Sequence, residues 1–308
     1  MKQLSYKLAP MSRQERDQLE LRAKLSGYPL DVRQAMDGST SQMLVGWHAD
    51  VLESQLNLSD IEPLQLDERT QIYLARMSDG QQVIAKRHDE WASYFRELRA
   101  FELIGSRAPL PRLLATSDSS QFIIMEYLPE PFVANTQAKL YEVARTLGRL
   151  HTCGVNNASL FKYFSQDATL GYLIRRTDSY SWLADEDALR EALSLAALRL
   201  GEDYVPIQLG DIKNSHLRAR DGCCTFIDLE TLTFGGFEFF DLLSLIIIAR
   251  DNDLEEYEWV GLTEAYLAGR GGDESSNLSL AEMLWALQLS SIALGLPQDL
   301  TERIPSLS

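Results

Sequence analysis

Two carboxylates stand on either side of a short hairpin: Asp211, in Leu209-Gly210-Asp211-Ile212-Lys213-Asn214-Ser215-His216, and Asp228, in Phe226-Ile227-Asp228-Leu229-Glu230. Acids spaced this way suit metal-assisted phosphoryl transfer, in which one takes the proton of an attacking hydroxyl and the other holds the cation that neutralises the phosphates. Gly210 allows a tight turn before Asp211, the candidate base. Lys213, two residues later, could neutralise the phosphate in transit.

Asp228 and His216 are the candidate metal ligands. Asp221-Gly222 reads as the hairpin turn between them. A three-residue loop with a glycine bulge sets His216 directly opposite Asp228, close enough to share one cation. A two-residue loop shifts the pairing by one and puts the two on different faces. Magnesium prefers oxygen ligands whereas imidazole suits softer ions, so His216 admits manganese or another purpose for the ring. Asn214 offers an amide oxygen as an alternative. Glu230 either supplements Asp228 or orients its loop.

Earlier in the chain, Val83-Ile84-Ala85-Lys86 has the form of a strand whose lysine reaches nucleotide phosphates. The next helix offers Glu97 to pair with and hold Lys86, with Glu102 as the competing partner. Ile123-Ile124-Met125-Glu126-Tyr127-Leu128 is an apolar strand entering a connector. Glu126, Tyr127 and Leu128 are therefore candidates for binding a nucleotide base through backbone groups.

The elements that must position these residues change character along the chain. Helical spacing runs through 12–56, interrupted near Gly27 and Gly38. Strands are expected at 71–76 and 82–87, joined by Asp79-Gly80, then a helix at 91–105 and strands at 112–116 and 121–126. Pro129 and Pro131 mark a connector. Helices follow over 138–153, 170–177, 185–200, 239–250, 255–269 and 278–294. The implied class is α+β, with three parts: an N-terminal helical extension over 1–60, a small antiparallel-sheet lobe over 61–128, and a mainly helical lobe over 129–308. A ligand cleft belongs between the lobes. His151, at a helix end, reads as structural, and the glycines after residue 268 read as a helix stop.

With 29 basic against 45 acidic residues, the net charge of −16 opposes binding to nucleic acid or anionic membrane and favours cationic solutes. The acidic stretches 185–187 and 251–258 suit a cationic substrate or are simply solvated helix ends. No signal peptide is read at the N-terminus, and the greasiest run, 242–249, is too short to span a bilayer. Cys153, Cys223 and Cys224 do not make a disulfide framework. A cytoplasmic protein without integral membrane association is the expectation, with residues 1–60 available to a protein partner.

Taken in order, Lys86, Glu97, Leu147-Gly148-Arg149-Leu150-His151, Gly210-Asp211, Ile227-Asp228-Leu229-Glu230 and Asp241-Leu242-Leu243 resemble the aminoglycoside phosphotransferase and choline-kinase-like group of the protein-kinase-like fold. The resemblance implies an ATP-dependent kinase acting with Mg2+ on a hydroxyl of a small molecule such as an aminoglycoside, sugar or amino alcohol. Lys86 would contact ATP phosphates, Asp211 would be the base, Asp228 would bind metal and Asp241 would brace the catalytic loop. Three positions depart from the pattern. Leu209 stands where a histidine is usual, His216 stands where an asparagine is usual, and 67–73 contains no glycine. Asp211-Ile212-Lys213 is similar to the protein-kinase loop, and His216 is similar to the loop of lipopolysaccharide-core heptose kinases. A protein or sugar kinase, or a weak or inactive kinase-like regulatory module, is the alternative these departures imply.

Overall fold

Apolar alternation along 70–88 and 122–126 gives strands whose two faces meet different surroundings. A computed structural model describes residues 48–66, 69–154, 168–180, 183–254, 258–271, 278–298 and 304–305. Five strands form one antiparallel sheet: β1 (Ser59–Leu66), β2 (Thr70–Arg76), β3 (Gln82–His88), β4 (Leu113–Ser117) and β5 (Phe122–Glu126), in the order β1-β2-β3-β5-β4. The register pairs Tyr73 with Ala85 and Ala85 with Ile124 on one face, and Ile72 with Lys86 and Lys86 with Ile123 on the other. The first face is closed by Val51, Leu52 and Leu58, contributed by helical residues 48–56 and the turn after them. Helix α1 (Trp91–Ile104) shares the opposite core with Ile123 and Met125.

Strand β1 is absent from the sequence expectation. It holds Pro63, almost none of it is buried, and its pairing with β2 slips twice, so it lacks the alternation that marks a strand and sits at the sheet edge. The helices expected before residue 48 lie outside the described residues.

The second lobe is built on α2 (Gln137–Thr152), α3 (Leu170–Arg176), α4 (Glu186–Leu200), α5 (Glu238–Leu243), α6 (Leu245–Asp251), α7 (Trp259–Arg270) and α8 (Leu280–Ala293). Helices α2 and α7 cross at backbone contact. A Cβ on Gly148 would stand 2.1 Å from the carbonyl oxygen of Tyr266, and one on Gly269 would stand 1.9 Å from that of Arg145. Only glycine permits that approach, which brings His151 against Tyr266. The single helix expected over 239–250 is divided at Ser244. Its hydroxyl donates to the Phe240 carbonyl at 2.8 Å, a bond that competes with the helical ladder.

Short strands β6 (Ile207–Gln208) and β9 (Thr233–Phe234) pair with each other and bracket the hairpin of β7 (Leu217–Arg220) and β8 (Cys223–Phe226). The connector joins that hairpin. Glu130 accepts from Ala219 N–H at 2.8 Å, and Phe132 N–H donates to Leu217 at 3.2 Å. The segment between the lobes is thereby stitched to the strand that follows His216. Among the described residues no helix is long and apolar enough to cross a membrane.

Candidate active site

The sheet face carrying Ile72, Ile84 and Met125 and the hairpin side carrying His216, Ile227 and Asp228 enclose a cleft of about 480 Å³. Glu126, Tyr127 and Leu128 line its connector end and Lys213 its other side. Apolar walls with a few converging charges are the usual make-up of a small-molecule site. The Glu126 carboxylate faces away from this role. It accepts from Arg112 N–H at 3.1 Å and pairs with Arg220, so any contribution to base binding falls to its backbone.

Lys86 is buried on β3 and reaches three acids: Glu97 Oε2 at 2.9 Å, Asp228 in direct contact, and Glu230 Oε2 at 3.7 Å. Burial alone would lower its pKa, but Asp228, Glu97 and Glu230 together raise it above the ordinary lysine value. The acids respond in kind. Burial would lift Asp228, yet Lys86 and His216 hold it well below the usual carboxylate range. Glu97 is likewise held down against burial by Lys86 and His88. Glu102, the other acid weighed for Lys86, pairs instead with Arg99 at 2.6 Å.

The catalytic-loop candidates are fixed from below by Asp241 on α5. Its carboxylate accepts from Leu209 N–H at 2.5 Å and Gly210 N–H at 3.0 Å. His151 Nε2 donates to the same group at 3.2 Å, and the Tyr266 hydroxyl bonds His151 Nδ1 at 2.7 Å. Gly210 has φ +87°, with Thr231 closing over it. The Asp211 carboxylate, about a quarter exposed, meets Lys213 Nζ at 2.6 Å.

The hairpin turn uses two residues, Asp221 (φ 52°) and Gly222 (φ 78°), with Arg220 paired to Cys223. His216 therefore faces Ile227, whose N–H donates to its carbonyl at 2.9 Å. That register was expected to part His216 from Asp228, and it does not: His216 Nε2 lies 2.9 Å from Asp228 Oδ2. Neither residue obeys the pleat. His216 ends a tight turn over Asn214–His216, and Asp228 has φ +66°, which swings its side chain back toward the hairpin. The other ring nitrogen, Nδ1, lies 2.9 Å from the Asp211 carbonyl oxygen. His216 thus links the two acids.

Asn214 and Glu230 turn elsewhere. The Asn214 amide oxygen accepts from Asn252 at 2.9 Å. The Glu230 carboxylate accepts from Thr70 at 3.1 Å and lies near His88, so it ties its loop to the sheet. Among the described residues no group of three or more His, Cys, Asp or Glu is arranged as a metal cage. One carboxylate with one further side chain nonetheless fits a cation that completes its shell from phosphates and water.

His88 escaped the sequence reading. It is fully buried, with Nε2 at 2.6 Å from Glu97 Oε2. The available signal was its position two residues after Lys86, on the same face of β3. The acids 185–187 belong to the start of α4, where Asp185 caps Ala188 N–H at 3.0 Å, so they serve the helix end. Of the stretch 251–258, residues 255–257 lie outside the described residues.

Residues 60–277 match the model of the family described as APH, phosphotransferase enzyme family. The match spans more than half of the chain, which belongs to this family and is a phosphotransferase. The fold is similar to a macrolide 2'-phosphotransferase type I, at 12% identity over 88% of this chain and 97% of that one, TM-score 0.48. It is also similar to a choline kinase from Streptococcus pneumoniae (15%, 83% and 91%, TM-score 0.44) and to an aminoglycoside phosphotransferase from Alicyclobacillus acidocaldarius (15%, 94% and 85%, TM-score 0.46). Comparison with curated proteins yields no match.

Proposed function

We propose that this phosphotransferase moves the γ-phosphate of ATP to a hydroxyl of a small molecule, with Asp211 as base and with Asp228 and His216 holding a divalent cation. The observation that carries the reading is the convergence of Lys86, Asp228, His216 and Lys213 on one cleft that begins at the connector, with Glu97 paired to Lys86 behind it and Asp211 bonded to Lys213 and His216. The base of the nucleotide would lie between Ile72, Ile84, Met125 and Leu128, against backbone of Tyr127. Its phosphates would then point toward Lys86 and Lys213.

Asp211 can accept the acceptor hydroxyl proton, because its carboxylate is partly open and the backbone just before it, at Leu209 and Gly210, is held by Asp241. Glu97 keeps Lys86 extended and charged, so its ammonium is ready for phosphate oxygens. Lys213, now on Asp211, is placed to follow the transferred phosphate. The divalent cation, when bound, supplies positive charge to the phosphate oxygens. A cationic acceptor, cytoplasmic location and a protein partner through 1–60 complete the proposal, motivated by the net charge of −16 and by the sequence of the N-terminal segment.

The test is transfer of labelled phosphate from ATP to a panel of aminoglycosides, sugars and amino alcohols by wild type and Asp211→Asn. Removing a general base should lower turnover by about 10²–10⁴-fold, while nucleotide-induced thermal stabilisation persists. Full turnover in the variant would dismiss Asp211 as base.

A further inference from the structure

We infer that His88 is a positioning residue for phosphoryl transfer, its ring holding the Glu97 carboxylate, and through it the Lys86 ammonium, where the phosphates of a nucleotide need them. The inference rests on the phosphotransfer reading of the cleft and adds to it a residue that does not line the cleft. His88 follows Lys86 by two positions on β3, so both side chains leave the same face of the strand and meet Glu97 on α1. Its backbone is pinned on both sides, paired with Thr70 on β2 and donating its N–H to the Gln121 carbonyl at 3.2 Å. The ring is fully buried, with Nε2 2.6 Å from Glu97 Oε2. Nδ1 makes no hydrogen bond among the described residues, since Glu230 Oε2, at 3.7 Å, lies beyond reach.

Glu97 is itself fully buried, and three donors meet it among the described residues: Lys86, His88 and the Leu229 N–H. Lys86 Nζ reaches Oε2 at 2.9 Å, but it also touches Asp228, and incoming phosphates compete for it. The Leu229 N–H reaches Oε1 at 3.4 Å, a long bond from the loop that carries Asp228. Of the three, His88 is committed to Glu97 and to nothing in the cleft. When phosphates draw the ammonium forward, the His88 N–H still compensates a carboxylate that burial would otherwise leave stranded. Without that bond Glu97 must take its compensation from Lys86, and the ammonium is held back from the phosphates.

The experiment measures binding of a non-hydrolysable ATP analogue with magnesium to the full chain by calorimetry. A glutamine amide nitrogen can stand where Nε2 stands, whereas an asparagine amide nitrogen stands nearer Nδ1, which has no bond to lose. His88→Gln should bind the analogue within about threefold of wild type, and His88→Asn about tenfold more weakly, as expected for one lost bond to a charged group. In a Glu97→Gln background the same asparagine change should alter affinity by less than about twofold, because the ring acts through that carboxylate. Equal affinities for wild type, His88→Gln and His88→Asn overturn the inference and leave the phosphotransfer reading intact, as does an undiminished loss in the Glu97→Gln background. A wild type that binds no analogue overturns both. One readout is independent of how the variants fold: in the wild type, the His88 imidazole N–H should give a slowly exchanging downfield proton resonance, assigned by its proximity to Thr70. That resonance should shift when the analogue binds, and one that stays in place sinks the inference.

Discussion

The two lobes each bury a cation, and the two burials differ in charge balance. In the helical lobe, Arg270 on α7 meets one carboxylate, Glu238 at 2.9 Å, while the hydroxyls of Tyr266 at 2.7 Å and Tyr204 at 3.2 Å accept further guanidinium protons. In the sheet lobe, Lys86 meets three carboxylates, with His88 and His216 at the margins. Burial opposes charge in both, and neighbouring oxygens outweigh it in both. The Arg270 cluster is closed, since each charge has a counterpart and no lining residue of the cleft belongs to it. The Lys86 cluster holds more acid than its lysine neutralises and opens onto the cleft, so an entering cation finds ligands already charged. A balanced buried pair holds structure, and an unbalanced one beside a cleft is poised for a ligand.

Breaking the closed cluster should produce the largest stability effect. Arg270→Met leaves Glu238 buried without its cation, and unfolding free energy should fall by about 3–5 kcal/mol. Adding Glu238→Gln should return much of that loss, because the stranded charge is then gone. Urea denaturation of the single and double variants measures this. Nucleotide affinity of the folded protein should be unchanged, and a loss of under about 1 kcal/mol would mean that the pair is not holding the lobe.

The same contrast marks what the sequence could disclose. The hairpin of β2 and β3, helix α1 and the helices of the second lobe were legible because apolar periodicity is local. Lys86, Glu97, Asp211 and Asp228 stood out as candidates through order and spacing, and Asp241 through the resemblance to the family. The closed cluster was invisible, since Arg270 and Glu238 lie 32 residues apart and read as surface charges until the end of α7 meets the start of α5. His88 was missed although it stands two residues after Lys86 on the same strand face, because a histidine at a strand end carries no mark of the acid it meets. The meeting of His216 with Asp228 depended on a left-handed aspartate at φ +66°, a conformation that no propensity announces for a residue between Ile227 and Leu229.

An intermediate effect should come from the far face of the sheet, where the smaller lobe has a sealed pair of its own. His48 Nδ1 lies 2.5 Å from the Tyr73 hydroxyl, and the ring contacts Phe122 edge-on. Burial, followed by the charge of Arg87, lowers the His48 pKa to about 4, while nearby Asp89 acts weakly in the other direction. A depressed histidine pKa means that the unfolded chain binds the proton first. The stability is whole above pH ~6.5 and is lost as pH falls through the folded value, on the order of 2 kcal/mol across that window. His48→Phe should remove that part of the acid dependence. Urea titrations at pH 7.5 and 4.5 decide it, and parallel curves for wild type and variant would show that His48 does not titrate differently on folding.

The smallest effect tests how the closed lobe reaches the open cluster. Asn252, at the end of α6, donates to the Asn214 amide oxygen at 2.9 Å and to the Ile248 carbonyl at 2.7 Å. Asn214 opens the turn that ends in His216, so this bond anchors to the helical lobe the ring that touches Asp228. Removing one such hydrogen bond should cost about 1 kcal/mol. In turnover that is roughly a fivefold loss for Asn252→Ala, if the turn positions His216. Asn214→Ala should reproduce the loss, and the double variant should be no worse than either single one, because both changes cut the same tether. Additive losses in that cycle would mean that the two asparagines act separately, and that the turn is held by the hairpin alone.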